Sequence, residues 1–250
     1  YEDVFAAMTQ GLAWMQGLVT SPTVNKASIT EARAKIGHEV LRDLQLQCCP
    51  ALANMIQHPD SFYAGLRLVA MDGSSFDLPD EKANADVFGY PEGGRAVAGY
   101  PKAQCAVLVE CGTHAILAGN IGAYREAEWA LCQSLLPVLD STMLCMADRG
   151  FNGFEHWQQA SQTGAQLLWR VAKSRNLPIK KVLEDGSFIS TIYRRDKKSE
   201  RALEAMDVRI IEYALPNMPD SEPRYRLMTT LFDPRVAPAK ELAALYHARW

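Results

Sequence analysis

Thr142-Met-Leu-Cys-Met-Ala147-Asp148-Arg149-Gly150-Phe151 decides how the rest of this chain is read. A short unbroken apolar run that stops at turn-forming residues predicts a buried strand ending at Asp148. Upstream, Leu66-Arg-Leu-Val-Ala-Met71 predicts another strand, which ends at Asp72-Gly73-Ser74-Ser75. Two more strands lie between them, over 103–109 and 114–118, with Gly112-Thr113 as the hairpin turn. A helical segment over 125–139, ending near Pro137, leads into the strand that closes on Asp148. Residues 154–163 then predict a helix stopped by Gly164. The order is β, β, β, α, β, α.

That order is the one found in ribonuclease-H-like folds, where the first and fourth strands lie side by side and parallel. In open α/β sheets, sites form beyond the carboxyl ends of strands. Asp72 and Asp148 are therefore expected to bring their carboxylates face to face. Mutual repulsion opposes such an approach unless cations lie between them. Oxygen ligands of this kind suit Mg²⁺ or Mn²⁺, and two such ions ~3.5–4 Å apart can activate an attacking oxygen and stabilise a leaving one. Asp77 and Asp80, in Phe76-Asp77-Leu78-Pro79-Asp80, are assigned to turn formation or helix capping.

The flanks differ in character. Val4, Met8, Leu12, Met15 and Val19 fall at helical spacing, and Ser21-Pro22-Thr23 ends that helix. Ser28-Ile-Thr-Glu31 has capping-box form, and Ile29, Arg33, Ile36, Val40 and Leu44 continue a second helix. After Gln166, strands over 167–172, 187–193, 208–214 and 225–232 predict a mostly antiparallel sheet of its own. Pro238-Ala-Lys-Glu241 starts a helix with Leu242, Leu245 and Tyr246 on one side. The expected fold is α/β, a ribonuclease-H-like mixed sheet core with a β-rich insertion. Its parts are a helical N-terminal region (1–60), the core (61–165), the insertion (166–236) and the start of a final helix (237–250).

Composition excludes disordered, collagenous and disulfide-knot classes: the 250 residues are 48% hydrophobic and 22% charged. The net charge of -3 conceals a local excess, because residues 170–201 hold ten Lys/Arg against four Asp/Glu. The cysteines (Cys48, Cys49, Cys105, Cys111, Cys132, Cys145) include no C-x-x-C pair and read as reduced thiols in a cytoplasmic protein. No apolar run reaches the ~20 residues a membrane span needs. Trp129, Trp157 and Trp169 are expected in the core. The chain begins at Tyr1 rather than Met and stops at Trp250 within an apparent helix, so it reads as a fragment.

Taken in order, several segments resemble a DDE transposase of the insertion-sequence-four type. Ser28-Ile-Thr-Glu-Ala-Arg-Ala-Lys-Ile-Gly37 resembles the family's N-terminal domain, and Val69-Ala-Met-Asp72-Gly73-Ser74 the segment bearing its first catalytic aspartate. Met146-Ala-Asp148-Arg149-Gly150-Phe151 resembles the second. Leu168-Trp-Arg170-Val-Ala-Lys173 and Arg226-Leu-Met-Thr-Thr-Leu-Phe-Asp-Pro234 resemble the two ends of its β-rich insertion. Leu245-Tyr246-His-Ala-Arg249-Trp250 resembles the opening of the Y-x-x-R-x-x-x-E signature, whose glutamate would fall three positions beyond Trp250.

The resemblance implies DNA transposition, with Asp72 and Asp148 as catalytic metal ligands. It implies double-stranded DNA at inverted-repeat element ends as partner, a synaptic dimer on that DNA, and a bacterial cytoplasmic setting. Arg149, Arg170 and Lys173 would contact DNA, and Tyr225 aligns with a family aromatic that stacks on a flipped base. Tyr246 and Arg249, three apart on one helix face, would hold a phosphate beside the metals. Two alternatives stand beside this reading: a catalytically incomplete DNA-end-binding fragment or transposition inhibitor, and a different metal nuclease on the same core. Glu241 lies upstream of Tyr246, on the wrong side of the signature, and is not promoted.

Overall fold

A computed structural model describes residues 26–91, 99–151, 153–196, 201–214 and 224–249. The chain divides into two compact units, 1–48 and 49–250. In the first, helix α1 (Lys26–Cys48) runs without a start at Ser28, so the Ser28–Glu31 pattern lies inside the helix instead of capping it. Lys26 and Ala27, both good helix formers, extend it upstream. Gly37 breaks the regular geometry with φ 75° and ψ 178°, a conformation that favours glycine, so α1 is two helical segments joined at a kink. The expected stripe from Val4 to Val19 lies outside the described residues.

The second unit is built on one sheet. Its elements are β1 (Phe62–Tyr63), β2 (Leu66–Asp77), α2 (Lys82–Phe88), β3 (Lys102–Glu110), β4 (Ile116–Ala123) and α3 (Glu128–Gln133). There follow β5 (Met143–Ala147), α4 (Phe154–Ser161) and β6 (Gln166–Arg170). The strands order themselves β4-β3-β2-β5-β6, with β2–β3 and β3–β4 antiparallel and β2–β5 and β5–β6 parallel. This is the expected ribonuclease-H-like arrangement, first strand beside fourth. All of β5 is buried because a central parallel strand is covered on both faces.

Two sequence-based expectations need correction. The strand carrying Asp72 does not end there: β2 continues to Asp77 because β3 keeps pairing with it, Asp72↔Val107 through Asp77↔Lys102. Asp77 is consequently a strand residue in an ion pair with Lys102 (3.1 Å). Nor do the later strands form a sheet of their own. β7 (Lys181–Val182), β8 (Phe188–Arg195), β9 (Ala202–Tyr213) and β10 (Tyr225–Thr229) extend the core sheet, with β10 antiparallel to β6. The fully buried Leu167, Leu168 and Trp169 make β6 an interior strand, and β10 satisfies the backbone edge it would otherwise leave open.

Alternation along the strands makes two cores. Val69, Met71, Cys145, Ala147, Leu167 and Trp169 pack under α3 and α4, where Trp157 is fully buried. Leu68, Ala70, Leu144, Met146 and Leu168 face the other way, under α5 (Ala239–His247), with Leu242 and Tyr246. Trp157 meets Trp169 edge-on at 5.2 Å, and Trp129 lies partly buried against the same core. All six cysteines are free; burial pushes the thiols of Cys111, Cys132 and Cys145 up to about 12, which leaves them unreactive.

Candidate active site

The sheet register sets the two motif aspartates level. Met71 pairs with Ala147 at the last step of the parallel β2–β5 ladder, so Asp72 comes next on β2 and Asp148 is the first residue after β5. There β5 stops and β2 continues, opening a step at the sheet's carboxyl end. Asp148 enters a single 3₁₀ turn (Arg149–Phe151) that the buried Phe151 pins to the core. Its Oδ1 accepts from the Gly150 N–H at 2.6 Å, and Asp72 Oδ1 accepts from the Gly73 N–H at 2.9 Å. Burial raises the Asp72 carboxyl above its ordinary range; the Gly73 N–H opposes that rise, Asp148 adds to it and Arg249 counters it.

A third carboxylate, which the motif reading did not select, lies beside Gly73 and Gly150, the glycines that closely follow these aspartates. Glu128 opens α3, and a β-carbon on Gly73 would come within 2.7 Å of its carboxyl carbon. The position of a β-carbon on Gly150 lies 3.5 Å from Asp148 Oδ1 and 3.6 Å from Glu128 Oε2. Burial raises the Glu128 carboxyl, and Asp72 and then Asp148 raise it further. Topology supplies the signal that local sequence lacked. β4 runs parallel to β2, so the helix after it must begin at the same end of the sheet as Asp72.

The final helix approaches from the other face. Tyr246 is placed otherwise than expected for a phosphate contact: it is only 2% exposed, and its hydroxyl donates to the Ala147 carbonyl at 3.3 Å. Burial pushes that hydroxyl up to about 12, so it stays protonated and anchors α5 beside Asp148. Arg249 does meet Tyr246, its guanidinium 3.9 Å from the ring centre and its Nη1 donating to the Tyr246 carbonyl at 2.7 Å. Glu241 accepts from the Tyr63 hydroxyl at 2.9 Å, at the opposite end of β2 from Asp72.

Arg149, Arg170 and Lys173 converge. With Val171, Ala172 and Ser174 they line a cavity of about 320 Å³ immediately after Asp148. Arg170 also lies over the Tyr225 ring at 4.9 Å, and that ring stacks on Tyr213 at 5.4 Å. Tyr213 in turn shares a 2.9 Å hydrogen bond with His247. The basic excess counted over 170–201 is smaller in the fold than in the sequence. β9 lays its acids along it, pairing Lys180 with Asp207 at 2.6 Å and Arg194 with Glu204.

Asp72 and Asp148 offer only carboxylate oxygens, a donor set that fits a hard divalent cation. Among the described residues, no three His, Cys, Asp or Glu side chains converge as a ligand set. No described helix is long and apolar enough to cross a membrane.

Strand order, paired aspartates and the flanking basic cavity define a class: the ribonuclease-H-like domains of DDE transposases. The family described as "Transposase DDE domain" matches residues 63–250, and the chain belongs to it. Among individual proteins, it is similar to the transposase InsG of insertion sequence element IS4 from Escherichia coli strain K12. The two are 21% identical over 229 residues, covering 92% of this chain and 51% of InsG. InsZ of the same strain is 25% identical over 184 residues, 72% of this chain and 61% of that protein. The chain spans about half to three-fifths of these relatives' length.

Two solved structures are more distant. One is a piggyBac transposase synaptic complex with hairpin DNA, at TM-score 0.41 and 11% identity over 73% of this chain and 37% of that one. The other is the Ciona intestinalis endonuclease V bound to an inosine-containing DNA, at TM-score 0.31 and 9% identity over 89% and 90%. The strand order, not these likenesses, defines the fold.

Proposed function

We propose that this chain carries the DNA-cleaving core of an insertion-element transposase, acting on double-stranded DNA at inverted-repeat ends as a synaptic dimer. The observation that supports it most is the level placement of Asp72 and Asp148 on adjacent parallel strands. In this reading the two aspartates hold Mg²⁺ or Mn²⁺. When bound, such a cation supplies Lewis-acid activation of the phosphodiester oxygens and charge for the leaving 3′ oxygen.

The chain's own residues do the rest. Arg149, Arg170 and Lys173 hold the DNA backbone at their shared cavity, next to Asp148. Arg249 offsets the negative charge at Asp72. Tyr246 keeps α5 seated on the end of β5. Tyr225, already stacked on Tyr213 and beneath Arg170, presents an aromatic surface beside that cavity for an unstacked base.

A DNA-end-binding role without cleavage, as a partner or inhibitor of transposition, is the second reading. The cavity shared by Arg149, Arg170 and Lys173 favours it, because backbone binding there needs no metal ligand set. Mg²⁺-dependent cleavage and strand transfer on end-bearing DNA decide between them. Cleavage by the chain that is lost in Asp72→Asn and Asp148→Asn supports the first reading. Retention of that DNA without cleavage supports the second. Cutting without strand transfer points to a plain nuclease.

A further inference from the structure

We infer that Glu128 is a third carboxylate of this acidic site, turned toward the cation that Asp72 and Asp148 hold and delivered from the sheet face opposite α5. The inference rests on the proposed role of those two aspartates.

Three observations carry it. First, the approach is built in by glycine. Gly73 shares its strand face with Val69 and Met71, the face packed under α3, and any β-carbon there would displace the Glu128 carboxylate. Gly150 borders both carboxylates, the position of a β-carbon there lying 3.5 Å from Asp148 Oδ1 and 3.6 Å from Glu128 Oε2, an ordinary contact distance. Secondly, topology delivers it: β4 runs parallel to β2, so α3 after it begins at the end of the sheet where β5 stops, with Glu128 beside Gly73. Thirdly, the carboxylate lacks the compensation that the other inward-facing acids enjoy. Glu110 has Arg67, Thr113 and two backbone N–H groups; Asp185 has Arg209, Ser187 and the Ala239 N–H. The charges acting on Glu128 are the two aspartates, both of its own sign.

A half-buried carboxylate beside two others is unfavourable without a counter-charge, and a divalent cation is the counter-charge that oxygen donors select. Among the described residues the three carboxylates do not converge on one point, and a bound cation would offset their mutual repulsion and draw them in. The site is then straddled, with Glu128 on one face of the sheet and Tyr246 and Arg249 on the other.

The test is Mn²⁺ binding to the 250-residue chain, read by the electron paramagnetic resonance of free Mn²⁺ and by the rise in Tm on adding the ion. Glu128→Gln should weaken Mn²⁺ affinity about ten-fold, the scale expected when one ligand charge is removed. Glu155→Gln, an exposed control on α4, should leave it unchanged. Gly73→Ala alters no charge but displaces the Glu128 carboxylate, so it should weaken binding in the wild-type background and hardly at all in Glu128→Gln. Glu128→Gln binding Mn²⁺ as tightly as wild type, while Asp72→Asn/Asp148→Asn abolishes binding, would overturn the inference and leave the two-aspartate site standing. Full affinity in the double aspartate variant would overturn that site as well. An equal loss from Gly73→Ala in both backgrounds would also count against Glu128.

Discussion

Arg209→Met is expected to be among the most destabilising single substitutions in this chain. The Arg209 side chain is fully buried on β9, and all of its reach is used. Nε donates to Ser187 Oγ at 2.9 Å, Nη1 to the carbonyls of Leu231 (2.8 Å) and Ala237 (2.7 Å), and Nη2 to Asp185 Oδ2 at 2.5 Å. Asp185 also accepts from the N–H of Ala239, the first residue of α5, at 2.8 Å. One guanidinium therefore ties the β7–β8 turn, the segment after β10 and the start of the final helix together.

Methionine matches the length of the arginine stem but leaves two carbonyls without their donor and Asp185 without its counter-charge. Each orphaned carbonyl costs about 1–3 kcal/mol, and stripping one partner from a buried ion pair costs about 3–5 kcal/mol in total. We take about 4 kcal/mol as the expected loss, a large share of a domain's usual stability. Urea unfolding followed by tryptophan fluorescence should show it. With an m-value of roughly 3 kcal/mol/M for a domain of this size, the midpoint should fall by about 1.3 M. Arg209→Met/Asp185→Leu should recover part of the loss, because both charges then leave together. A midpoint shift below about 0.3 M, or a double variant less stable than Arg209→Met, would refute the reasoning.

Three further outcomes are expected. Glu110 is fully buried, and Thr113, Ala53, Arg67 and Leu52 hold its carboxyl below the ordinary range against the effect of burial. Its contribution is therefore fully present above the unfolded carboxyl pKa of about 4.3 and is lost as pH falls through the lower folded value. The Tm gap between wild type and Glu110→Gln should be wide at neutral pH and close below about pH 4; a gap that widens on acidification contradicts this. Trp157→Ala removes a fully buried ring packed edge-on to Trp169 and should cost about 3–5 kcal/mol in urea unfolding. Lys173→Ala should weaken binding to end-bearing and unrelated duplexes alike and lower the salt slope of binding by about 0.9, as expected for one lost phosphate contact; an unchanged slope would separate Lys173 from the DNA.

How much was legible in the sequence varies with the range of the forces involved. The run 143–147 is apolar throughout because β5 is covered on both faces, and that local signal was readable without a fold. Asp72 and Asp148 could be paired because the strand order makes β2 and β5 neighbours and each aspartate follows an apolar run. The extent of β2 beyond Asp72 was not legible, since residues 74–77 are exposed and held only by cross-strand bonds to β3. Residues 125–139 read as one helix, yet helix occupies only Glu128–Gln133, with a 3₁₀ turn over Leu136–Val138 that contains Pro137. The charge excess over 170–201 misled for a related reason: Glu204 and Asp207 lie outside that window in sequence and beside it in space.

The sequence by itself determined the strand–helix order, the two aspartates that follow apolar strands and the family wording around them, because each is written in contiguous residues. Tertiary structure decided the rest. It joined the later strands to the core sheet through β10 and β6, turned Tyr246 inward onto Ala147, gathered Arg149, Arg170 and Lys173 around one cavity, and brought Glu128 against Gly73. Those outcomes depend on which backbone edge needs a partner and which side chain finds room where a β-carbon is missing. Both are properties of residues far apart in the chain, and only the assembled sheet brings them together.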